Sequence, residues 1–253
     1  MLESYVRLRL QERELLLMTH IVIGHPDFDT SLRLVEVMVT AGVDLIELQI
    51  PFSEPIADGP VILRANQEAL DAGSSVERCF ALAAQVTRRF EIPFLFMTYY
   101  NILFKHDVGR FVGAMKSAGL RGAIVPDLPP EEGTEYLSAM QAQELDPIFI
   151  YSPNTKDERL RSIAQHARGF VYCVARKGVT GSQTAFSQEL SGYLARARAA
   201  TTLPLAVGFG VKEKSDVDFL RGKAAIAVVG SESLRVFARG GVEAVGPFLK
   251  GLR

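Results

Sequence analysis

Two of the carboxylates in the segment IELQIPFSEPIADGP (46–60), Glu47 and Asp58, stand in different settings. Glu47 falls inside an apolar run, VDLIELQI (43–50), whereas Asp58 follows Pro51 and Pro55 and precedes Gly59 and Pro60. Along an extended strand side chains alternate between faces, so Leu45, Glu47 and Gln49 share one face while Ile46, Leu48 and Ile50 take the other. Burial of a glutamate near a strand end raises its pKa toward a range useful for a general acid. Asp58, in a loop stiffened by prolines, could reach the same ligand from the side. A structural reading stands beside this one: a strand-end glutamate making structural hydrogen bonds, and an aspartate capping the helix that DGP precedes. The residues alone leave the two readings level.

Three glycine-rich turns speak about the ligand. They are KGVTGS (177–182), VGFGV (207–211) and VVGSES (228–233). Glycine lets backbone N–H groups come close to an anion, and a helix N-terminus adds partial positive charge. One such turn is an ordinary strand-to-helix connection; three together favour a phosphate cradle. Weaker signals are Tyr172 within a strand run, which reads first as packing, and Arg176 and Lys177, which could pair with phosphate or stay solvated. Asp127 in PDLPPEE could orient a neighbour or cap the next helix, Tyr99 and Asn101 close the run before it, and His25 in GHP reads as a loop residue.

Positioning these residues falls to a repeated unit. Apolar runs occur at 21–24, 43–50, 92–100, 122–127, 146–153, 169–176, 204–210 and 224–231, and helical periodicity separates them. Helix patterns such as SLRLVEVMVTAG, DVGRFVGAMKSAG and ERLRSIAQHARG each close on a glycine suited to the left-handed C-cap. The strand runs are continuous and β-branched, as expected for a parallel sheet covered on both faces. Eight β–α units predict a (β/α)8 TIM barrel preceded by an extra N-terminal helix over MLESYVRLRLQERELLL, with residues 1–253 as one domain; a doubly wound open sheet is the competitor. A barrel assembles its site at the C-terminal ends of the strands and places phosphate at the loops after strands 7 and 8, where GFG and GS stand.

Composition narrows the class. With 28 basic against 29 acidic residues, no basic field invites nucleic acid or an anionic membrane. No apolar run is long enough to span a membrane, and the charged N-terminus is unlike a signal peptide. Cys79 and Cys173 stand alone and the four histidines have no ligand spacing, so no disulfide framework or metal site is expected and a cytoplasmic location is.

The segment 46–60 resembles the signature ELGxPFSDPxADGP of the tryptophan synthase alpha chain family, and the resemblance runs along the whole chain through MTYYN, VPDLPPEE, FVYCVARKGVTG, LAVGFGV and AVVGSES. It implies a (β/α)8 barrel that cleaves indole-3-glycerol phosphate to indole and glyceraldehyde 3-phosphate by a retro-aldol reaction, in the last steps of L-tryptophan biosynthesis. It implies Glu47 as the acid/base at indole C3 and the side-chain hydroxyl, Asp58 holding the indole N–H and steadying its positive charge, and Tyr172 flanking the indole. Tyr99, Asp127, Thr180, Gly181, Phe209, Gly210, Gly230 and Ser231 would contact substrate, the glycines and Ser231 around phosphate and Thr180 on a closing loop. The implied partner is a tryptophan synthase beta chain in an alpha2beta2 heterotetramer. Pyridoxal phosphate is expected only in that partner.

Four departures accompany the resemblance. The family's glycine after Glu-Leu is Gln49, its aspartate in PFSDP is Glu54, a TAGDP-like strand end reads VIGHP (22–26), and Ile102 follows Asn101. They motivate a second reading, a catalytically weakened alpha-like subunit that mainly binds and activates a beta chain. A phosphate-binding barrel for another substrate, such as a sugar phosphate, leaves the pairing of Glu47 with Asp58 unexplained.

Overall fold

The chain was described from a computed structural model covering residues 2–175, 188–208 and 210–253. The apolar runs become the parallel strands β1 (Leu16–Val22), β2 (Leu45–Gln49), β3 (Phe94–Met97), β4 (Gly122–Ile124), β5 (Asp146–Tyr151), β6 (Val171–Val174), β7 (Leu205–Gly208) and β8 (Ile226–Val229). Each pairs with its sequence neighbour and β8 returns to β1, so the sheet closes into a barrel and the open-sheet competitor is excluded. Strand alternation then divides the core. Leu16, Met18, Leu45, Leu95, Ile124, Ile148, Tyr172, Ala206 and Val228 fill the barrel, while Ile46, Leu48, Phe94 and Phe96 face the surrounding helices. The expected facing of β2 holds: Leu45 lies in the lumen and Ile46 and Leu48 outside it.

The helices α2 (Phe28–Thr40), α6 (Val108–Ser117) and α8 (Asp157–His166) correspond to the three patterns read from sequence. Gly42 and Gly119, with φ of 88° and 79°, end α2 and α6 in the left-handed conformation that costs glycine least. Helix α8 ends differently from expectation: its cap residue Ala167 is extended, and Gly169, with φ of 75°, stands beyond it in the turn that leads to β6.

The N-terminus departs from expectation. Helix α1 (Leu2–Arg9) stops early, and the LLLM run enters β1, which begins five residues before the expected strand at 21–24. Leu16, Leu17 and Met18 gain full burial between β2 and β8, a larger return than one more helical turn on the surface. Helix α1 instead plugs the lower end of the barrel. Leu2 and Val6 join the lumenal cluster, and the Leu2 N–H donates to Asp146 Oδ2 at 2.7 Å. Buried Asp44 fastens the same end: its carboxylate accepts from the Leu17 N–H at 3.0 Å and from the guanidinium groups of Arg9, Arg13 and Arg253. Both chain ends are thereby tied to β1 and to the residue before β2.

Candidate active site

Glu47 sits on the lumenal face of β2 and is 4% exposed. The register of the barrel sets His20 of β1 beside it, and His20 Nδ1 lies 2.8 Å from Glu47 Oε1. The other carboxylate oxygen, Oε2, is buried and has no hydrogen-bond partner among the described residues; the same holds for His20 Nε2 and Gln49 Oε1. Buried polar atoms are nearly always paired, so orphans on His20 and Glu47, which both line one cavity, are a signature of ligand chemistry rather than of core packing.

Asp58 approaches from the loop between β2 and helix α3 (Pro60–Asp71). Turns at Pro55–Asp58 and Glu54–Ile56 fold that loop back over the mouth. The N-cap of α3 is Gly59, and the Asp58 side chain does not cap it. Asp58 Oδ2 instead accepts from Gln49 Nε2 at 2.7 Å and from the Tyr99 hydroxyl at 3.0 Å. The capping reading of Asp58 is therefore wrong, because the loop turns its carboxylate inward. Gln49 extends from the same strand face as Glu47, and Asn66 of α3 supports it by accepting a longer bond from Gln49 Nε2 while also receiving the Phe52 N–H. Phe52 stacks on Tyr99 with ring centroids 5.1 Å apart, which fixes the tyrosine that holds Asp58.

The environments of the acids shift several pKa values. Burial raises the Asp58 carboxyl above its ordinary 3.8, and the charge on His20 with the hydrogen bonds from Gln49 and Tyr99 only partly offsets this. Burial, joined by the negative charge of Asp58, keeps the Tyr99 hydroxyl protonated and hence a donor. For His20, burial pulls downward, but the hydrogen bond to Glu47 and the charges of Glu47 and Asp58 outweigh it and leave its pKa raised above 6.5. Tyr172 is buried across the cavity, its hydroxyl pushed well up by desolvation and then by the charges of Glu47 and Asp58.

Opposite the acids, Gly210, Val211, Lys212, Gly230 and Ser231 line the same cavity. Gly230 is the N-cap residue of helix α11 (Ser231–Gly251), whose axis breaks at Gly241, and the helix N-terminus opens on the cavity wall. Gly210 has φ of 118°, a conformation that suits glycine in this turn. Gly208 serves a different purpose: a Cβ there would lie 2.3 Å from the Tyr172 hydroxyl oxygen, so the missing side chain is what admits the ring.

Of the residues singled out in the sequence, Glu47, Asp58, Tyr172, Gly210, Gly230 and Ser231 converge on one cavity. Tyr99 reaches it through Asp58. Asp127 turns to the next connection, accepting from the Tyr100 N–H at the start of helix α5 (Tyr100–Lys105) with both oxygens, at 2.9 and 3.1 Å. Thr180, Gly181, Phe209, Arg176 and Lys177 lie outside the described residues. His25 lies at the cis peptide before Pro26, 3.2 Å from Glu68, and does not line the cavity. His20 escaped the sequence reading because β1 was started too late; alternation from Leu16 through Met18 would have put it on the lumenal face. Lys212 and Arg235, which also line the cavity, carry no pattern that sets them apart from surface cations. Among the described residues no group of three His, Cys, Asp or Glu side chains is placed to hold a metal, and no helix is long and apolar enough to cross a membrane.

A parallel (β/α)8 barrel that sets two buried carboxylates against a glycine turn and a helix N-terminus is an enzyme of the acid–base class acting on an anionic substrate. Its particular kind follows from relatives. The chain belongs to the tryptophan synthase alpha chain family, whose model matches residues 7–243. It is 64% identical over 252 residues to the tryptophan synthase alpha chain of Desulforapulum autotrophicum and 60% identical over 253 residues to that of Syntrophotalea carbinolica, in both cases over 100% of each chain. Its fold superposes on a chain of Mycobacterium tuberculosis tryptophan synthase with a TM-score of 0.93 at 29% identity, covering 99% of this chain and 96% of that one. A tryptophan synthase alpha-subunit from Pyrococcus furiosus gives 0.86 at 31% identity, over 93% and 96%. The chain is thus a lyase of L-tryptophan biosynthesis that cleaves indole-3-glycerol phosphate to indole and glyceraldehyde 3-phosphate. The second reading, a catalytically weakened alpha-like subunit that mainly binds and activates a beta chain, is not favoured by these matches.

Proposed function

We propose the following division of labour in that cleavage. Glu47 is the proton-transfer group: its Oε2 protonates indole C3, which turns the ring into an electron sink, and a proton leaves the side-chain hydroxyl as the aldehyde forms. The electrons of the breaking C–C bond return to the ring and release indole. Asp58 accepts the indole N–H and balances the positive charge that develops on the ring, its position fixed by Gln49 and Tyr99. Two carboxylates held in unlike environments for unlike roles is a recurrent device. Tyr172 packs against the indole. Gly210, Gly230 and Ser231 cradle the phosphate with Gly181 and Phe209, and Thr180 contacts the substrate. Tyr99 and Asp127 contribute indirectly on this reading, the first through Asp58 and the second by capping α5.

The observation that carries the reading is the orphaned, buried Oε2 of Glu47 in the cavity that also holds Asp58 and the α11 N-terminus. Glu47→Gln keeps the shape and removes the titrating proton. Indole release should fall by at least the roughly 10²–10⁴-fold that a general acid–base group supplies. Turnover near wild type would mean another group moves the proton.

The same reading extends to assembly. Residues 1–253 act as one barrel domain, in the cytoplasm, paired with a beta chain in an alpha2beta2 tetramer. Pyridoxal phosphate belongs to the beta chain. Support comes from the mouth of the barrel, where Ile56, Leu63 and Phe104 are 72%, 50% and 68% exposed beside the Glu54 loop. Apolar groups so displayed suit burial by a partner. Co-purification of the two chains, with indole supplied by this one and consumed by the other, tests the pairing.

A further inference from the structure

Glu47 has a neighbour whose role the reaction as written leaves open. His20 is 2% exposed, sits at the register position opposite Glu47, and brings Nδ1 to 2.8 Å from Glu47 Oε1. Burying an imidazole beside a carboxylate in a barrel lumen costs solvation that a leucine or valine at the same position would not. The neighbouring lumenal positions of β1, Leu16 and Met18, are filled by such apolar residues. Position 20 is therefore the one place where β1 trades apolar packing for a polar contact with the acid.

We propose that His20 is a positioning residue for the lyase reaction: by donating Nδ1–H to Glu47 Oε1 it locks the carboxylate so that Oε2 alone faces the substrate. The inference rests on Glu47 being the proton-transfer group. A carboxyl proton of Glu47 belongs on Oε2, the oxygen that serves the substrate, so Oε1 only accepts and the proton of the contact stands on Nδ1. With Oε1 engaged, the one oxygen of Glu47 without a partner among the described residues is Oε2, which fixes the group that must alternate between giving a proton to carbon and taking one from a hydroxyl. Without that contact the carboxyl plane would be free to turn about the last side-chain bond, and neither oxygen would be held toward C3.

The pair also sets the proton inventory. His20 Nδ1 lies 2.8 Å from the acid, so the imidazole proton is part of the pH dependence of turnover. The groups facing His20 are Glu47 and Gln49 from β2 and Asp58 from the following loop, all acting to hold the imidazole proton. On the β8 side Val228 and Gly230 bring no charge, and Tyr172, Lys212, Glu232 and Arg235 are the other ionisable groups that line the cavity.

The test uses the full chain and two substitutions. His20→Asn keeps a donor where Nδ1 stands but does not titrate; His20→Leu removes the donor altogether. Melting curves establish that both fold. We expect His20→Leu to lose about 100-fold in kcat, the size of effect that misplacing a reacting group by about 1 Å produces, with KM little changed. His20→Asn should recover most of that loss, with the pH–kcat limb set by the pair displaced. Nitrogen NMR gives a readout free of turnover: the imidazole of His20 should titrate at lower pH in Glu47→Gln than in wild type, because its anionic acceptor is gone. Identical titration in the two proteins overturns the pairing. Wild-type kcat in His20→Leu, or equal losses in both His20 variants with an unchanged pH profile, overturns the positioning role. Glu47→Gln assayed alongside separates the two levels, since its retained turnover would strike the assignment of Glu47 itself.

Discussion

Replacing Gly208 by alanine places a methyl group where the ring of Tyr172 already lies. The new Cβ would sit 2.3 Å from the hydroxyl oxygen, 2.5 Å from Cε1 and 2.6 Å from Cζ of that tyrosine. Carbon atoms rest at about 3.5–4.0 Å, so the ring must withdraw by roughly 1 Å. Tyr172 is buried in the lumen with Glu47 and Asp58 beyond it, so the ring moves into the cavity or the backbone of β7 yields. Overpacking of this kind costs about 1–3 kcal/mol. For a chain of this length that lowers Tm by about 2–12 °C. Displacing a side chain that packs on the substrate by about 1 Å should cut kcat/KM by roughly 10–100-fold. The assay is indole release from indole-3-glycerol phosphate, with thermal unfolding of the same preparations. Gly192→Ala is the control, since that glycine is exposed, lies within helix α9 (Gln188–Ala200) and has open space at its Cβ position; it should gain about 0.5–1 kcal/mol. Wild-type turnover and Tm in Gly208→Ala would refute the claim that this glycine exists to admit Tyr172.

Two further substitutions probe other parts of the barrel. Asp44→Ala leaves the Leu17 N–H and three arginine side chains without their shared acceptor, so stability should fall by about 3–5 kcal/mol with kcat unchanged in the folded fraction; urea unfolding checks it, and a loss under 1 kcal/mol would show that the cluster is ornamental. Asp58→Asn should abolish most turnover and also change how stability responds to pH. The raised pKa of Asp58 means its contribution is fully present below the ordinary 3.8 and is lost as pH rises through the raised value, so the variant should gain Tm relative to wild type on going from about pH 4 to pH 7. A difference in Tm that does not vary with pH would contradict the burial argument.

Much of this molecule could be read from its residues. The alternation of VDLIELQI fixed which side of β2 Glu47 occupies, because a strand's faces depend only on parity. Gly42 and Gly119 marked helix ends correctly, because the left-handed cap is a local backbone requirement, whereas Gly169 lies three residues past the end of α8, whose cap residue is extended. That glycines 210 and 230, at the ends of strands 7 and 8, would line the cavity was legible from the barrel geometry. The start of β1 was not, since a leucine-rich run has no period that tells helix from buried strand, and its placement was settled by the gap between β2 and β8 that it fills.

Who stands next to whom lay beyond the sequence. Parity places Glu47 and Gln49 inside the barrel, but the stagger between strands chooses His20 as the partner of the first, and the fold of a proline-rich loop brings Asp58 to the second at 2.7 Å. The reason Gly208 must be glycine is likewise a side chain from another strand. Periodicity is a property of one element, whereas the chemistry of this site is made of contacts between elements distant in sequence, and those are fixed only when the barrel closes.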